Sequence, residues 1–213
     1  MTPPQTTSLE TITGGETLLV LAAHPGDESA LCGGLIAQCC RRGRPPFVMV
    51  LGDGSLSHPR SVTHGPAALA RLHERETREA AMRLGLPRDR LLMVGLFDGT
   101  VVDEGPVFEA VVRAVALVMW ARDCNVVCAP ALPGDPAREA AQRIAVATAE
   151  RTGVGRLGYA AVAGWELDVS AQVAAKRAGI AAHATLLGET VADDPGGRRI
   201  DVEVGALERF APR

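Results

Sequence analysis

Short, unbroken apolar runs alternate with longer mixed segments along most of the chain. Thr17–Ala23 (TLLVLAA) is the first such run and ends at the loop HPGDES. Phe47–Leu51 (FVMVL), Leu91–Gly95 and Asn125–Ala129 (NVVCA) repeat the pattern. Apolar runs of this length without polar alternation are expected of strands buried on both faces, as in a parallel sheet covered by helices. Between them the pattern predicts helices over Ala30–Arg42, Pro66–Leu84, Pro106–Arg122 and about Ala137–Arg151. Gly85, with Pro87 beyond it, supplies the stop signal of the second helix. Tyr159–Val162 reads as a further strand and Ala171–Ala182 as a further helix, and Val191–Arg213 is polar and Gly-rich. The expected fold is a single-domain α/β Rossmann-like three-layer sandwich with a mostly parallel sheet, spanning residues 15–213. Residues 1–14 read as a flexible leader.

In such sheets ligands sit at the carboxyl ends of the strands. That rule gathers four loops into one place: His24–Ser29, Gly52–His64, Leu96–Gly99 and Pro130–Pro136.

Composition narrows the function classes. Of 213 residues, 47% are hydrophobic and 22% charged, which suits a globular chain and not a disordered one. The net charge of −3 and the absence of a basic stripe argue against a nucleic-acid partner. No apolar run approaches the roughly 18 residues of a membrane span, so no membrane partner is expected. The first residues, MTPPQTTSLETITGG, lack a basic-then-apolar signal pattern, and a cytoplasmic location is expected. Cys32, Cys39, Cys40, Cys124 and Cys128 are then expected as reduced thiols, mostly in the core. Cys124 and Cys128 are four apart but lack the second Cys or His pair of a structural metal site.

The loop after the first strand carries the chemistry. It lacks GxGxxG and instead holds His24, Asp27 and Glu28. Phosphates call for backbone N–H groups and no carboxylates at that point, so two acids favour a cation or a polar substrate. His24 and Asp27, three apart at a strand end, can point at one metal; equally, Asp27 or Glu28 can cap the next helix while His24 bonds a loop. Asp53, Ser55, Ser57 and His58 lie on the second loop, and Asp98 precedes Gly99 at the end of the third strand. His64 reads as a loop residue before a helix. Trp165 suits either a pocket wall or a cover over the core.

LAAHPGDESALCGGLIA resembles the AHPDDE-x(n)-GG signature of the PIG-L/LmbE family of zinc-dependent N-deacetylases. GDGSLSHP, HERETREAAMRLGL, VGLFDG and KRAGIAAHATL resemble four further family motifs, in order, from about Leu18 to Leu187. The resemblance implies a Rossmann-like fold, a mononuclear zinc and removal of acetyl from an N-acetylated amino sugar or similar amide. It also implies that His24 and Asp27 hold ligand positions and that His183 lies at a pocket position.

The chain departs from the family at the positions to which that resemblance assigns the chemistry. His24-Pro25-Gly26-Asp27-Glu28 has Gly26 where the family has its general base. Gly134-Asp135-Pro136-Ala137-Arg138 stands where the family has Gly-His-Pro-Asp-His, so Arg138 replaces the third zinc ligand and Asp135 replaces an intermediate-stabilising His. His73 takes the place of a substrate-contacting arginine, with Glu76 retained. Guanidinium offers no lone pair, and its charge about 4 Å from a divalent ion costs roughly 8 kcal/mol at an effective dielectric near 20.

The expected function is therefore an N-deacetylase homologue that has lost zinc catalysis and binds an amino sugar-like small molecule or acts through a partner. The metal set His24 and Asp27 is incomplete, no cofactor is expected to bind tightly, and zinc is the metal if there is one. The expected pocket residues are Glu28, Asp53, His73, Asp98, Asp135, Arg138 and His183. Arg138 is expected to fill the vacated position and pair with Asp27 or Asp135, with His24 nearby. Exchanging Gly26 for Asp and Arg138 for His is expected to raise zinc affinity. The alternative is an active hydrolase that recruits His24, Asp27 and Asp135 for metal with Glu28 as base; an unrelated cofactor-binding module is a third reading.

Overall fold

The structure, a computed structural model, describes residues 5–201 and 204–211. Leu18–Ala22 forms the strand β2 in the interior of an eight-stranded sheet of the described residues. Its side chains alternate between two cores, as a two-residue period dictates. Leu18, Val20 and Ala22 face one core; Leu19 and Leu21, with Ala23 beyond the strand end, face the other. This explains a run with no polar position: neither face of β2 meets water.

On either side of β2 lie β3 (Phe47–Gly52) and β5 (Val126–Pro130), both parallel to it. β4 (Leu91–Leu96) forms the edge beyond β3, and β6 (Gly155–Tyr159) follows β5. The remaining order is β8 (Leu207–Ala211), β7 (Trp165–Asp168) and β1 (Gln5–Thr7). Only β8 runs antiparallel among these pairings, to both β6 and β7. The expected parallel α/β sandwich is therefore the observed fold.

One face carries α1 (Leu9–Thr13), α3 (Gly33–Arg41), α4 (Pro66–Arg83) and α7 (Val173–Ala181). The other carries α5 (Gly105–Ala121) and α6 (Pro136–Thr152). Two short helices flank the strand-end loops: α2 (Asp27–Ala30) and α8 (Ala184–Leu187). No helix among the described residues is long and apolar enough to cross a membrane.

Several expectations need correction. The described part of the leader, residues 5–14, is built into the domain: β1 pairs with β7 and Ile12 is fully buried. The helix expected over Ala30–Arg42 is two helices, broken at Leu31 and Cys32. α3 starts at Gly33, and its second residue has to be Gly34 because the chain passes so close to Val169 that an added Cβ would sit 2.7 Å from its Cβ. The strand expected at Tyr159–Val162 instead ends at Tyr159, since Ala160 takes a positive φ of 54°. Tyr159 is buried, and its hydroxyl donates to the Leu21 carbonyl at 2.7 Å. Trp165 sits on β7 against the core, not at a pocket. Cys32, Cys39, Cys124 and Cys128 are buried free thiols, as expected.

The reversed strand β8 ties the two ends of this face together. Glu208 on β8 accepts from the N–H groups of Gly34 and Leu35 at 2.7 and 2.8 Å, satisfying two orphan donors at the start of α3. It also receives Lys176 Nζ at 2.7 Å, and both side chains are buried. Glu208→Ala would strand a buried ammonium and two helix N–H groups. It is expected to cost about 3–5 kcal/mol in urea unfolding, whereas Glu74→Ala, which breaks the exposed Glu74–Arg78 pair, should stay within about 1 kcal/mol.

Candidate functional site

The four expected loops do meet at the carboxyl end of the central strands. His24 follows β2, and its Nε2 lies 3.1 Å from both carboxylate oxygens of Asp135, beyond β5. Asp98, after β4, accepts from the Leu56 N–H at 3.0 Å in the loop after β3. Asp53 accepts from the N–H groups of Ser55 and Asp98 at 2.9 and 3.2 Å, lacing these two loops together. Asp53 is thus a loop-building residue. The His24 Nδ1 faces Asp98 Oδ1 at 3.9 Å, too far for a hydrogen bond, and both atoms are buried without a partner among the described residues.

Asp27 is the first residue of α2 and only 4% exposed. It accepts from the backbone N–H of His24 at 3.2 Å. The Arg138 guanidinium supplies the opposite charge: Nη2 donates to Oδ1 at 2.7 Å, and Nε lies 3.2 and 3.3 Å from the two oxygens. Arg138 reaches this position from the first turn of α6. There Asp135 is the N-cap, and its side chain accepts from the Arg138 N–H at 3.0 Å. The expected pairing of Arg138 with Asp27, with His24 beside it, is present. Asp135 is held well below the usual carboxylate range, chiefly by the hydrogen bond with His24.

These residues do not fit a catalytic zinc. A site of that type needs three protein ligands with free lone pairs and an open position. Here Asp27 is engaged by a guanidinium, and His24 Nε2 is engaged by Asp135. Among the described residues no group of three His, Cys, Asp or Glu side chains is placed to hold a metal.

Gly26 shows why the missing base is more than a missing side chain. Its φ is +95°, a conformation that L side chains rarely adopt. A Cβ added there would lie 2.8 Å from Leu186 Cδ1 and 3.1 Å from Ile200 Cδ1. The space beside Gly26 is filled by apolar groups. An Asp at position 26 would strain this backbone and force Leu186 and Ile200 to move, which opposes the expected gain in zinc affinity from exchanging Gly26 for Asp and Arg138 for His.

Three expected pocket residues lie behind the cleft. Glu28 is 1% exposed; it bonds His183 Nε2 at 2.9 Å, the Ser29 hydroxyl at 2.8 Å and the Gly26 N–H at 2.9 Å. Burial raises the Glu28 pKa, but its hydrogen bonds and the His183 charge outweigh that, and the net shift is downward. His183 is fully buried, so neither group faces a substrate. His73 on α4 is also fully buried, with Nε2 2.7 Å from the Ser57 hydroxyl. Glu76, one turn on, accepts from the N–H and hydroxyl of Thr185 at 3.0 and 2.8 Å, anchoring α8.

The sequence reading missed the segment that covers the cleft. Gly188–Asp201 carries no regular structure but is pinned at several points. Asp193 accepts from the Val62 and Thr63 N–H groups at 2.8 and 3.1 Å, Asp194 from the Arg60 N–H at 2.9 Å. The Arg198 N–H donates to the Ser57 carbonyl at 2.6 Å, and the Ile200 N–H to the Leu186 carbonyl at 3.1 Å. This brings Arg198, Arg199 and Ile200 over the Asp27–Arg138 pair, where they enclose a cleft of about 180 Å³. The only hint in the sequence is the pair of arginines after Gly196-Gly197.

The protons in the layer beneath can be assigned from one end. Arg199 Nη1 lies 3.2 Å from His58 Nε2. Guanidinium only donates, so His58 accepts there and carries its proton on Nδ1. Nδ1 then donates to the Ser57 hydroxyl at 3.0 Å, which donates to His73 Nε2 at 2.7 Å. His73 is left with its proton on Nδ1, the atom with no partner among the described residues. His58 and His73 are both held in the neutral form. Burial, and then the Arg199 charge, pushes His58 down; burial pushes His73 down to about 3.

Residues 19–149 match the family described as PIG-L: GlcNAc-PI de-N-acetylase. No curated protein sequence matches the chain. Among solved structures, N,N'-diacetylchitobiose deacetylase from Pyrococcus horikoshii, complexed with its inhibitor MPG, superposes with a TM-score of 0.75 at 16% identity, covering 96% of this chain and 87% of that one. The antimicrobial reagent A40926 pseudoaglycone deacetylase gives 0.69 at 16% identity over 92% and 96%. The 4-carboxy-2-hydroxymuconate hydratase from Pseudomonas putida KT2440 gives 0.65 at 16% identity over 93% and 97%. At these identities the likeness concerns the fold, and the fold is shared by proteins named for different reactions.

The neutral histidines set a pH dependence. His73 is pushed down to about 3 in the folded chain from an ordinary imidazole value of 6.5, so the unfolded chain binds the extra proton first as pH falls. Its contribution to stability is complete above about pH 6.5 and is lost progressively towards pH 3. Between pH 7 and pH 5 the loss is expected to be about 2 kcal/mol in urea unfolding, with His58 acting in the same direction. His73→Gln should remove more than half of that slope.

Proposed function

The chain belongs to the PIG-L family, and we propose that within it this protein is a member without zinc-dependent deacetylase activity, whose cleft binds a small molecule through a built-in cation. The observation that carries this reading is the Arg138–Asp27 pair, 2.7 Å at its shortest and largely withdrawn from solvent. In the family pattern that the sequence resembles, Asp27 and the residue at 138 both face a metal. Here the carboxylate has its positive charge supplied from within the chain.

The proton-transfer groups point the same way. Hydrolysis of an amide needs a base poised near the working pH, within reach of the attacking water. Gly26 offers none. Glu28 is buried and committed to His183, and Asp135 is held too acidic to take a proton readily. The rearranged-metal alternative would require Arg138 to leave Asp27 and expose its carboxylate to a metal that His24 and Asp135 share. The convergence of His24 on Asp135 favours that alternative; the guanidinium between Asp27 and open space opposes it.

Elemental analysis of the purified protein is expected to find no stoichiometric zinc, and assays with N-acetylglucosamine-type substrates no appreciable release of acetate. Stoichiometric zinc that disappears in His24→Ala, with turnover abolished by Asp27→Ala, would overturn the proposal in favour of the rearranged site. Arg138→Ala should destabilise the fold by about 1–3 kcal/mol, because it strands a buried carboxylate. Gly26→Asp combined with Arg138→His should destabilise further, by about 1–3 kcal/mol from the strained backbone at position 26, and yield no turnover.

A further inference from the structure

The cleft over Asp27 is lined by three arginines and by apolar side chains, and its positive charge is not fully neutralised. Arg138, Arg198 and Arg199 stand against two lining carboxylates, Asp27 and Asp201. Arg138 is spoken for by Asp27 through Nε and Nη2, but its Nη1 donates to no group among the described residues. Arg198 reaches Asp98 only at 3.5 Å. Arg199 has no carboxylate within ion-pair distance among the described residues; its Nη1 is held by His58 and the Thr185 carbonyl, each at 3.2 Å. Its guanidinium also packs over Gly188, where a Cβ would lie 2.9 Å from Cζ. It is thus oriented in advance, with Nε and Nη2 left over. A partly buried cation with spare donors and no counter-charge is a site for an anion. The rest of the wall carries no polar side chain and is dominated by Leu31, Leu132, Leu186 and Ile200, which offer nothing to a polyhydroxylated ring.

We propose that this cleft binds a small organic oxyanion, a carboxylate or a phosphate monoester on a short apolar body, with the anion held by Arg199 and Arg138 and the body against Leu132 and Ile200. The proposal rests on the reading that Arg138, and not a metal, supplies the charge next to Asp27. Specificity follows from chemistry: planar guanidinium forks suit a carboxylate or phosphate, while the apolar wall disfavours a bare inorganic ion. An N-acetylated sugar, uncharged and hydroxyl-rich, meets neither requirement.

The test is calorimetric titration of the whole chain with butyrate and with butyl phosphate, repeated after EDTA treatment, with butyramide, inorganic phosphate and N-acetylglucosamine as comparisons. Saturable binding of butyrate or butyl phosphate is expected, unchanged by EDTA and at least tenfold tighter than any comparison compound. Which of the two binds more tightly identifies the headgroup. Arg199→Gln should weaken that binding by tenfold or more, as expected for loss of a charge-assisted contact. Leu132→Asp, on a half-exposed loop position, should do the same without affecting the fold, so a misfolded Arg199 variant leaves the proposal testable. No binding of either organic anion, or binding indifferent to both substitutions, would overturn it. Anion binding that EDTA abolishes would instead sink the metal-free reading of the site on which it stands.

Discussion

A carboxylate that is almost wholly buried has to be met by positive charge or by hydrogen-bond donors, and Asp27 places that demand at the centre of this molecule. Its position is not negotiable locally. It opens α2 directly after the central strand, and its side chain turns back to the His24 N–H. The remaining charge is supplied from α6, 111 residues further along the chain. A cation in the first turn of a helix is normally disfavoured by the exposed N–H groups there. Asp135 offsets this from the N-cap, and Asp27 offsets it from across the cleft. Two carboxylates, one guanidinium and one imidazole thus fix the relative placement of β2, β5 and α6 at their functional end.

The same demand explains the shape of the cleft roof. With the space beside Gly26 free of a polar side chain, apolar groups can move in, and Leu186 and Ile200 do. Ile200 can reach there only because the irregular segment before it is nailed to the loop after β3 by Asp193 and Asp194. That segment carries Arg198 and Arg199 with it. The Arg199 charge then helps to keep His58 neutral, and Ser57 joins His58 to His73, which burial keeps neutral in turn. A change at one glycine is physically continuous with a layer of histidines on the far side of the loop.

The sequence revealed the middle of the sheet and little of its margin. β2, β3, β4 and β5 were legible because strands buried on both faces leave unbroken apolar runs. β7 (WELD) and β8 (LERFA) are only four and five residues long and each carries two charges, so neither leaves the unbroken apolar run that marks the buried strands. Their pairing is decided by β6 and by the buried Lys176–Glu208 contact, which no local pattern announces. At the site, the pairing of Arg138 with Asp27 was legible because opposite charges were assigned to one strand-end cleft. The burial of Glu28, His73 and His183 was not. A polar residue facing inward on an otherwise ordinary helix leaves no trace unless its partner is known, and these partners lie 155 residues away for Glu28 and 16 for His73.

That misreading carries a lesson about the motifs themselves. Glu28, the Gly33-Gly34 pair, Glu76 and His183 are positions away from the Asp27–Arg138 pair at which this chain keeps the family pattern, and in the structure each has a job in building the fold. Glu28 and His183 hydrogen-bond one another in the interior, Gly34 admits α3 to Val169, and Glu76 holds the start of α8. Replacing any of them would leave a buried polar group unpaired or drive a new side chain into a neighbouring one, irrespective of any reaction. The pattern is broken at Gly26, Asp135 and Arg138, which face the cleft or the space beside it, and at His73, which is buried behind it. Likeness at the first set therefore speaks for the fold, and only the second set speaks for the chemistry. A chain can keep nearly every recognisable segment of an enzyme family and still present a different surface to its ligand.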